Sequence, residues 1–211
     1  MSPLLIALLG VLLLPLFVGS WRTSLLGLSC QGILMSWIAF RMGPPPQTAS
    51  DWLVIADLVI VRGLFAPLAL RAVLLAHKSP ARNDVIPPNL LSWTFAFGIV
   101  LVAFNFSERL VPMHGEQQTL LAVATAGLLL GFLVLATQSG PFSQIIGIIR
   151  IENAIALFEL GGPHHREAFL IHLALVAALI ASIAFYRWYL QVLNRPAEAA
   201  EDSGPSEMPS L

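Results

Sequence analysis

The chain contains 211 residues, of which 57% are hydrophobic and only 11% are charged, and its mean hydropathy is +0.80. Soluble domains have about 25% charged residues, and a domain of this size leaves roughly a quarter to a third of its chain surface exposed. This composition therefore excludes an ordinary soluble protein and indicates a lipid bilayer as the solvent. The formal net charge of -1 provides no excess of positive charge for a phosphate backbone, so we expect no nucleic-acid partner.

The sequence contains no pattern that predicts a metal site or catalytic chemistry. A single cysteine, Cys30, can form neither an internal disulfide nor a thiolate metal site, which needs several ligands. The adjacent histidines His164 and His165 have no other ligands clustered around them, so we expect them to be loop residues. Gly-rich phosphate loops and hydrolase motifs are absent from the sequence, and the connections between apolar runs are too short to fold alone. We therefore expect no cofactor, no metal and no active site within this chain.

Seven apolar runs approach the roughly 20 residues that a helix needs to cross the hydrocarbon core of a bilayer. Each run is bounded by charges, by proline or glycine clusters, or by aromatic residues. The runs cover residues 3–18, 24–40, 52–75, 89–106, 119–135, 142–160 and 168–188. Since the sequence has no strand pattern, we predict an all-α fold, a polytopic transmembrane helix bundle of about seven spans.

The bundle is predicted to occupy residues 1–194. Residues 195–211 are rich in proline, serine and acidic residues and are predicted to form a disordered cytoplasmic tail. The first run has no Lys or Arg before its apolar core, so we expect it to be a retained helix. Seven crossings place the termini on opposite sides, and the side with the C-terminus has six basic residues against three. The positive-inside rule then places the N-terminus outside and the C-terminus in the cytoplasm.

Glycine and proline spacing predicts local features of two runs. Gly127 and Gly131 form a GxxxG pattern in the fifth run, which permits close approach of a neighbouring helix. Pro67 lacks a backbone N–H and is predicted to kink the third run.

The third run also contains two charged residues, Asp57 and Arg62. An ionisable side chain at the bilayer centre costs between about 2.5 and more than 10 kcal/mol on an isolated helix, so it normally faces protein or water. On a regular α-helix the two residues lie about 7.5 Å apart along the axis and about 140° apart around it. We therefore predict that they do not form an ideal pair and that each has a partner elsewhere.

The sixth run contains Arg150, Glu152, Asn153 and Glu159. Glu152 is near its centre, and Glu159 follows on nearly the same face about 10.5 Å along the axis. These two carboxylates suggest a polar track, which His172 near the start of the seventh run could join. Arg150 points to the opposite face, where it could meet a carboxylate of the third run or of another subunit.

Two interpretations of these intramembrane residues remain open. Burial raises the pKa of a carboxylate and a nearby cation lowers it, so Glu152 beside a movable positive charge could load and release a proton. Alternatively, the same side chains form static interhelical bonds that fix the bundle, since both roles bury the same residue types.

The stretch from Gln138 to Leu160, QSGPFSQIIGIIRIENAIALFEL, resembles the membrane subunit called component E of the hydrogenase-four type, a relative of the K subunit of bacterial respiratory complex I. The pair Glu152 and Asn153 is at the centre of this resemblance. In the third run, VRGLFAPLAL is similar to a family stretch in which a basic residue is followed five positions later by proline, here Arg62 and Pro67.

The resemblance implies an accessory subunit of the prokaryotic inner membrane with no active site of its own. Its partners would be antiporter-like membrane subunits and a hydrogenase-like or quinone-oxidoreductase-like arm, and its buried charges would help couple electron transfer to proton or sodium movement. Glu152 receives the implied proton-handling role. Two positions depart from the family pattern: Arg62 stands where a lysine is expected, and His172 stands about where a carboxylate is expected. Since Arg does not lose its proton in practice, Arg62 would modulate the local field and not carry protons.

Two other classes of function are consistent with the sequence. The chain could be a component of a cation/proton antiporter or a stand-alone transporter, in which case it would transport ions by itself in liposomes. It could also be a purely structural scaffold, in which case neutralising Glu152 or Arg150 would lower assembly without changing coupling. No weakly repeated pair of halves, of the kind that marks many secondary transporters, is visible.

Overall fold

The structure is a computed structural model that describes residues 2–17, 20–42, 45–76, 90–110, 115–138, 140–161 and 168–201. Within these ranges every element is helical, which confirms the predicted all-α class. The elements are α1 (Pro3–Phe17), α2 (Trp21–Met42), α3 (Ala49–Ala56), a π-helical segment (Asp57–Phe65), α4 (Ala66–Ala76), α5 (Leu90–Leu110), α6 (Glu116–Thr137), α7 (Pro141–Gly161) and α8 (Ala168–Glu201). Since α3, the π-helical segment and α4 are continuous, they form one long helix.

A helix occupies the position of each of the seven predicted runs. Five stretches are long and apolar enough to cross a membrane: Trp21–Met42, Asp51–Leu75, Glu116–Thr137, Pro141–Gly161 and Leu173–Val192. Helix α1 contains a shorter apolar stretch, Pro3–Leu13, and the total of seven crossings remains a prediction. Helix α8 continues to Glu201 and so includes the start of the predicted tail, whereas residues 202–211 lie outside the described part.

The start of the third long helix is fixed by a capping box. Thr48 Oγ1 accepts a hydrogen bond from the backbone N–H of Asp51, and the Asp51 carboxylate accepts one from the backbone N–H of Thr48 at 2.9 Å. This reciprocal arrangement satisfies two N–H groups that a helix start leaves without partners. The acidic residue at this end therefore has a structural role as a cap.

Helix α7 is central in the bundle, because it packs against α6, α8 and α2. Helix α1 packs against α2 and α6, α5 packs against α6, and α4 packs against α2 and α8. Helices α6 and α7 approach closely at the predicted GxxxG pattern, where a Cβ atom on Gly131 would lie 2.7 Å from Ile151 Cγ1 and one on Gly127 would lie 3.4 Å from the Ala154 Cβ. The packing role predicted for these two glycines is confirmed.

A second close approach joins α2 to the π-helical segment. A Cβ atom on Gly32 would lie 2.6 Å from Gly63 Cα and 2.8 Å from the Leu58 carbonyl oxygen. Since these are backbone atoms, only glycine fits at position 32, and the two backbones are in direct contact next to Arg62.

Large apolar side chains point outward, whereas several charged ones are buried. Leu26 is 64% exposed and Leu101 is 66% exposed, but Arg62 is 0% exposed and Arg150 only 3%. A protein in water has the opposite distribution. Apolar groups on the surface and charges inside are what a hydrocarbon solvent favours, as expected for a membrane protein.

Candidate functional site

The π-helical segment brings Asp57 and Arg62 together. Arg62 Nε donates to Asp57 Oδ2 at 3.0 Å, and both side chains are buried. The prediction that these residues do not pair is wrong, because it assumed the periodicity of a regular α-helix. In a π-helix the hydrogen bonds run between residues five apart, as shown by the Ala66 N–H, which donates to the Val61 carbonyl. Residues 57 and 62 therefore lie one above the other.

Pro67 explains why the helix departs from α geometry at this point. Its nitrogen has no hydrogen to donate, and its ring clashes with the carbonyl four residues earlier, which belongs to Gly63. The widened turn lies directly before Pro67, since the π-helical segment ends at Phe65. The predicted irregularity beside Arg62 is thus a π-helical segment, of a kind that occurs frequently at functional sites.

Arg62 also binds α7. Its Nη1 donates to Asn153 Oδ1 at 2.8 Å, and Asn153 is fully buried. The planar guanidinium can serve both partners at once, because its N–H groups diverge in a fixed fork. A single cation therefore connects the carboxylate of the third long helix to an amide on the central helix.

Glu152, the neighbour of Asn153, faces α8. Ser182 Oγ donates to Glu152 Oε1 at 2.9 Å, and Glu152 is 8% exposed. We call these five residues, Asp57, Arg62, Asn153, Glu152 and Ser182, the polar row, since they extend from the π-helical segment across α7 to α8.

Arg150 lies outside the polar row. Its Nη1 donates to the carbonyl oxygen of Leu12 in α1 at 3.4 Å, and its side chain is 3% exposed. It therefore points away from the Glu152 face of α7, as the two-residue spacing predicts. Asp57, one of the two partners expected for Arg150, is bound to Arg62. A contact between Arg150 and a carboxylate of another subunit remains a prediction.

The remaining predicted residues are not brought into the polar row. Glu159 is partly buried in the last turn of α7, which ends at Gly161, so it lies near the end of the span and not beside Ser182. His172 belongs to α8, but its side chain lies outside the described part of the structure, as do His164 and His165 altogether. Among the described residues, no group of three or more His, Cys, Asp or Glu side chains could hold a metal ion.

Ser182 is the member of the polar row that sequence reasoning missed. It is the single polar side chain in the sequence between Leu173 and Phe185, LALVAALIASIAF. An isolated hydroxyl in an apolar span is a usable signal, because such hydroxyls form bonds across helices in membranes. It is weaker than an intramembrane charge, since serine can also bond to its own backbone.

The polar row has hydrogen-bonding capacity beyond its internal bonds. Within the described part of the chain, Arg62 Nη2, Glu152 Oε2 and Asn153 Nδ2 are buried and have no hydrogen-bond partner. Arginine and asparagine do not exchange protons near neutral pH. Glu152 is therefore the group in the row that is suited to bind and release a proton, whereas Asp57 is held by an ion pair.

Comparisons of this chain with protein-family models, with curated proteins and with solved structures give no match. The chemistry of the polar row therefore rests on its own residues and their geometry.

Proposed function

We propose that this chain is a non-catalytic membrane subunit of a complex I-like or group 4 membrane-bound hydrogenase-related complex, in which it supports proton or sodium translocation coupled to electron transfer. It resides in a prokaryotic inner membrane with its N-terminus outside and its C-terminus in the cytoplasm. Its partners are antiporter-like membrane subunits and a hydrogenase-like or quinone-oxidoreductase-like arm.

The observation that carries this proposal is the polar row inside an otherwise apolar bundle. Charged groups within a bilayer are costly and typically mark ion pathways or proton relays. Three of the five residues in the row, Arg62, Asn153 and Glu152, also belong to the two stretches that resemble the hydrogenase-four type subunit. The bond between Arg62 and Asn153 joins those two stretches directly, so the resemblance and the buried contacts point to the same place.

The arrangement supports a division of roles within the row. Glu152 takes up and releases the proton, and Arg62 sets the field in which it does so. Because Arg62 cannot deprotonate, ion movement through the complex alters its contacts with Asp57 and Asn153 and not its charge. Ser182 holds the Glu152 carboxylate toward α8.

The proposal is tested by comparing Glu152→Gln with Glu159→Gln in the assembled complex. Both variants remove one carboxylate from the same face of α7, but only Glu152 belongs to the polar row. We expect Glu152→Gln to lower the number of ions moved per electron while leaving the amount of complex unchanged, and Glu159→Gln to have a smaller effect. Unchanged pumping in Glu152→Gln would overturn the relay role. Loss of assembly with normal pumping per remaining complex would support a structural scaffold instead.

Partner identity is tested by a tagged pull-down of the full chain in mild detergent, followed by mass spectrometry. Recovery of antiporter-like membrane subunits together with a hydrogenase-like or quinone-oxidoreductase-like large subunit would support the proposal. Recovery of this chain alone, together with ion transport by it in liposomes, would favour an independent transporter.

A further inference from the structure

A cleft of about 400 Å³ lies between α7 and α8. Its walls include Pro141, Gln144 and Ile148 of α7 and Ser182, Tyr186 and Tyr189 of α8. Polar groups are thus present along both walls, although both helices are apolar stretches that could cross a membrane.

The cleft begins at one end of the bundle and extends inward. Pro141 is the first residue of α7, and Tyr189 is close to Val192, where the apolar stretch of α8 ends. Since α7 starts and the apolar part of α8 finishes at this end, the cleft lies near the membrane face from which α8 continues toward the C-terminus. Gln144 and Ile148 then lie on successive turns of α7, at increasing depth.

Ser182 connects the cleft to the polar row. It lines the cleft and also donates to Glu152 Oε1 at 2.9 Å. A serine hydroxyl can donate one hydrogen bond and accept others, so the same oxygen can accept a hydrogen bond from the cleft side. Behind it, Glu152 Oε2 is buried without a hydrogen-bond partner among the described residues, so the carboxylate can bind a further proton donor.

We propose that the cleft between α7 and α8 is the route by which protons reach Glu152 from the aqueous phase on the C-terminal side, with the Ser182 hydroxyl as the last carrier. In this step a hydronium ion in the cleft transfers a proton to Ser182 Oγ while the original Ser182 hydrogen passes to Glu152 Oε1. The products are a neutral Glu152, a restored Ser182 hydroxyl and a water molecule. This inference rests on the proton-handling role of Glu152 proposed above. It adds the membrane face from which protons reach Glu152 and the path that they take.

The polar side chains in the cleft favour water over a lipid chain as the occupant, although Ile145, Ile148 and Phe185 make much of the lining apolar. The Gln144 amide needs hydrogen-bond partners in a low-dielectric region, and the Ser182 oxygen, whose hydrogen is donated to Glu152, can still accept a hydrogen bond. An acyl chain supplies neither. Among the described residues that line the cleft, the titratable ones are Tyr186 and Tyr189.

Site-directed cysteine labelling of the full chain in membrane vesicles tests this route. The native cysteine is first removed by Cys30→Ser, and Ser182→Cys or Ile148→Cys is then introduced singly. We expect both cysteines to react with a membrane-impermeant cationic methanethiosulfonate added on the C-terminal side, and neither to react when it is added on the other side. Ile148→Cys provides the same information if Ser182→Cys fails to fold, since position 148 lines the same cleft.

The matched control is Ile180→Cys, two residues from Ser182 on the same helix, where the side chain is 46% exposed. A charged reagent is excluded from hydrocarbon, so the cleft cysteines should react more than ~10-fold faster than the one at position 180. Equal rates at positions 180 and 182 would overturn the proposal, as would labelling only by lipid-soluble maleimides or only from the opposite side.

The labelling needs no electron transfer and no partner, so its outcome is independent of the pumping assay. Cleft cysteines that fail to react, combined with reduced pumping in Glu152→Gln, would overturn the route and leave the proposed function standing. Reactive cleft cysteines with normal pumping in Glu152→Gln would overturn the proton-carrying role and therefore the last step of the route.

Discussion

Arg62 and Asn153 are 91 positions apart in the chain, yet Arg62 Nη1 lies 2.8 Å from Asn153 Oδ1. The same guanidinium binds Asp57 through Nε, so one side chain bridges the π-helical segment and α7. A shift of the π-helical segment relative to α7 would therefore change the hydrogen bonds of the polar row. Arg62 cannot keep its bond to Asp57 and its bond to Asn153 when these two residues move apart.

Removing one member of the Asp57–Arg62 pair should cost more than removing both. We expect Arg62→Met to lower the free energy of unfolding by about 3–5 kcal/mol, since it leaves a buried carboxylate without its cation. The double variant Asp57→Leu with Arg62→Met should lose less, because no uncompensated charge remains. Thermal and denaturant unfolding in detergent would measure both, and additive losses would show that the two side chains are not energetically coupled.

Gly32 should tolerate no side chain. In Gly32→Ala the new methyl group would lie 2.6 Å from backbone atoms of Gly63, so α2 must shift, at an expected cost of about 1–3 kcal/mol in unfolding free energy. The control is Gly10→Ala, where the added carbon meets nothing within 4 Å and the helix should be unaffected or slightly stabilised. Equal melting temperatures for the two variants would contradict the close contact.

The two glycines of the GxxxG pattern should differ in sensitivity. A Cβ atom on Gly131 would lie 2.7 Å from Ile151 Cγ1, whereas one on Gly127 would make an ordinary contact of 3.4 Å with Ala154. We therefore expect Gly131→Ala to lower the melting temperature more than Gly127→Ala. A rotamer change does not relieve this contact, since β-branched isoleucine has one strongly preferred χ1 rotamer in a helix and the added carbon would also lie 3.3 Å from the Ile151 backbone nitrogen. A larger loss at position 127 would indicate a different contact between α6 and α7.

Ser182→Ala should weaken the link between Glu152 and α8. Interhelical hydrogen bonds in membranes contribute about 0.6 kcal/mol on average and up to about 1.7 kcal/mol, so the chain should still fold. We expect slower proton translocation by the assembled complex, because the carboxylate loses the hydroxyl that donates to it. Ser182→Thr keeps the hydroxyl and should retain more activity, and equal activity in both variants would argue against a role for the hydroxyl.

Much of the architecture follows from the sequence by simple physical chemistry. Apolar runs of about bilayer length predict the helices, because only internally hydrogen-bonded structure is stable in hydrocarbon. Charges inside those runs identify Asp57, Arg62 and Glu152 as site candidates, since such residues seldom persist without a role. The helices extend beyond the predicted runs at several ends, as with α2 and α6, because polar residues at the membrane boundary continue the helix.

The geometry of the polar row could not be predicted in the same way. The prediction for Asp57 and Arg62 used a fixed rotation per residue, and the π-helical segment changes that rotation. Ser182 joins the row through the packing of α7 against α8, which helix spacing does not specify. For the same reason, the contact between Gly32 and Gly63 involves single glycines on separate helices and produces no periodic pattern in the sequence.

The contact between Gly32 and Gly63 also determines which parts of the molecule can move separately. Backbone meets backbone there, so no side chain can change rotamer to accommodate sliding, and we expect α2 and the π-helical segment to move together. At the start of α2, the Trp21 ring packs edge-on against Phe142 of α7, with ring centroids 4.5 Å apart. We therefore expect a displacement of α7 at that membrane face to shift α2, and with it the backbone beside Arg62 in the middle of the bundle.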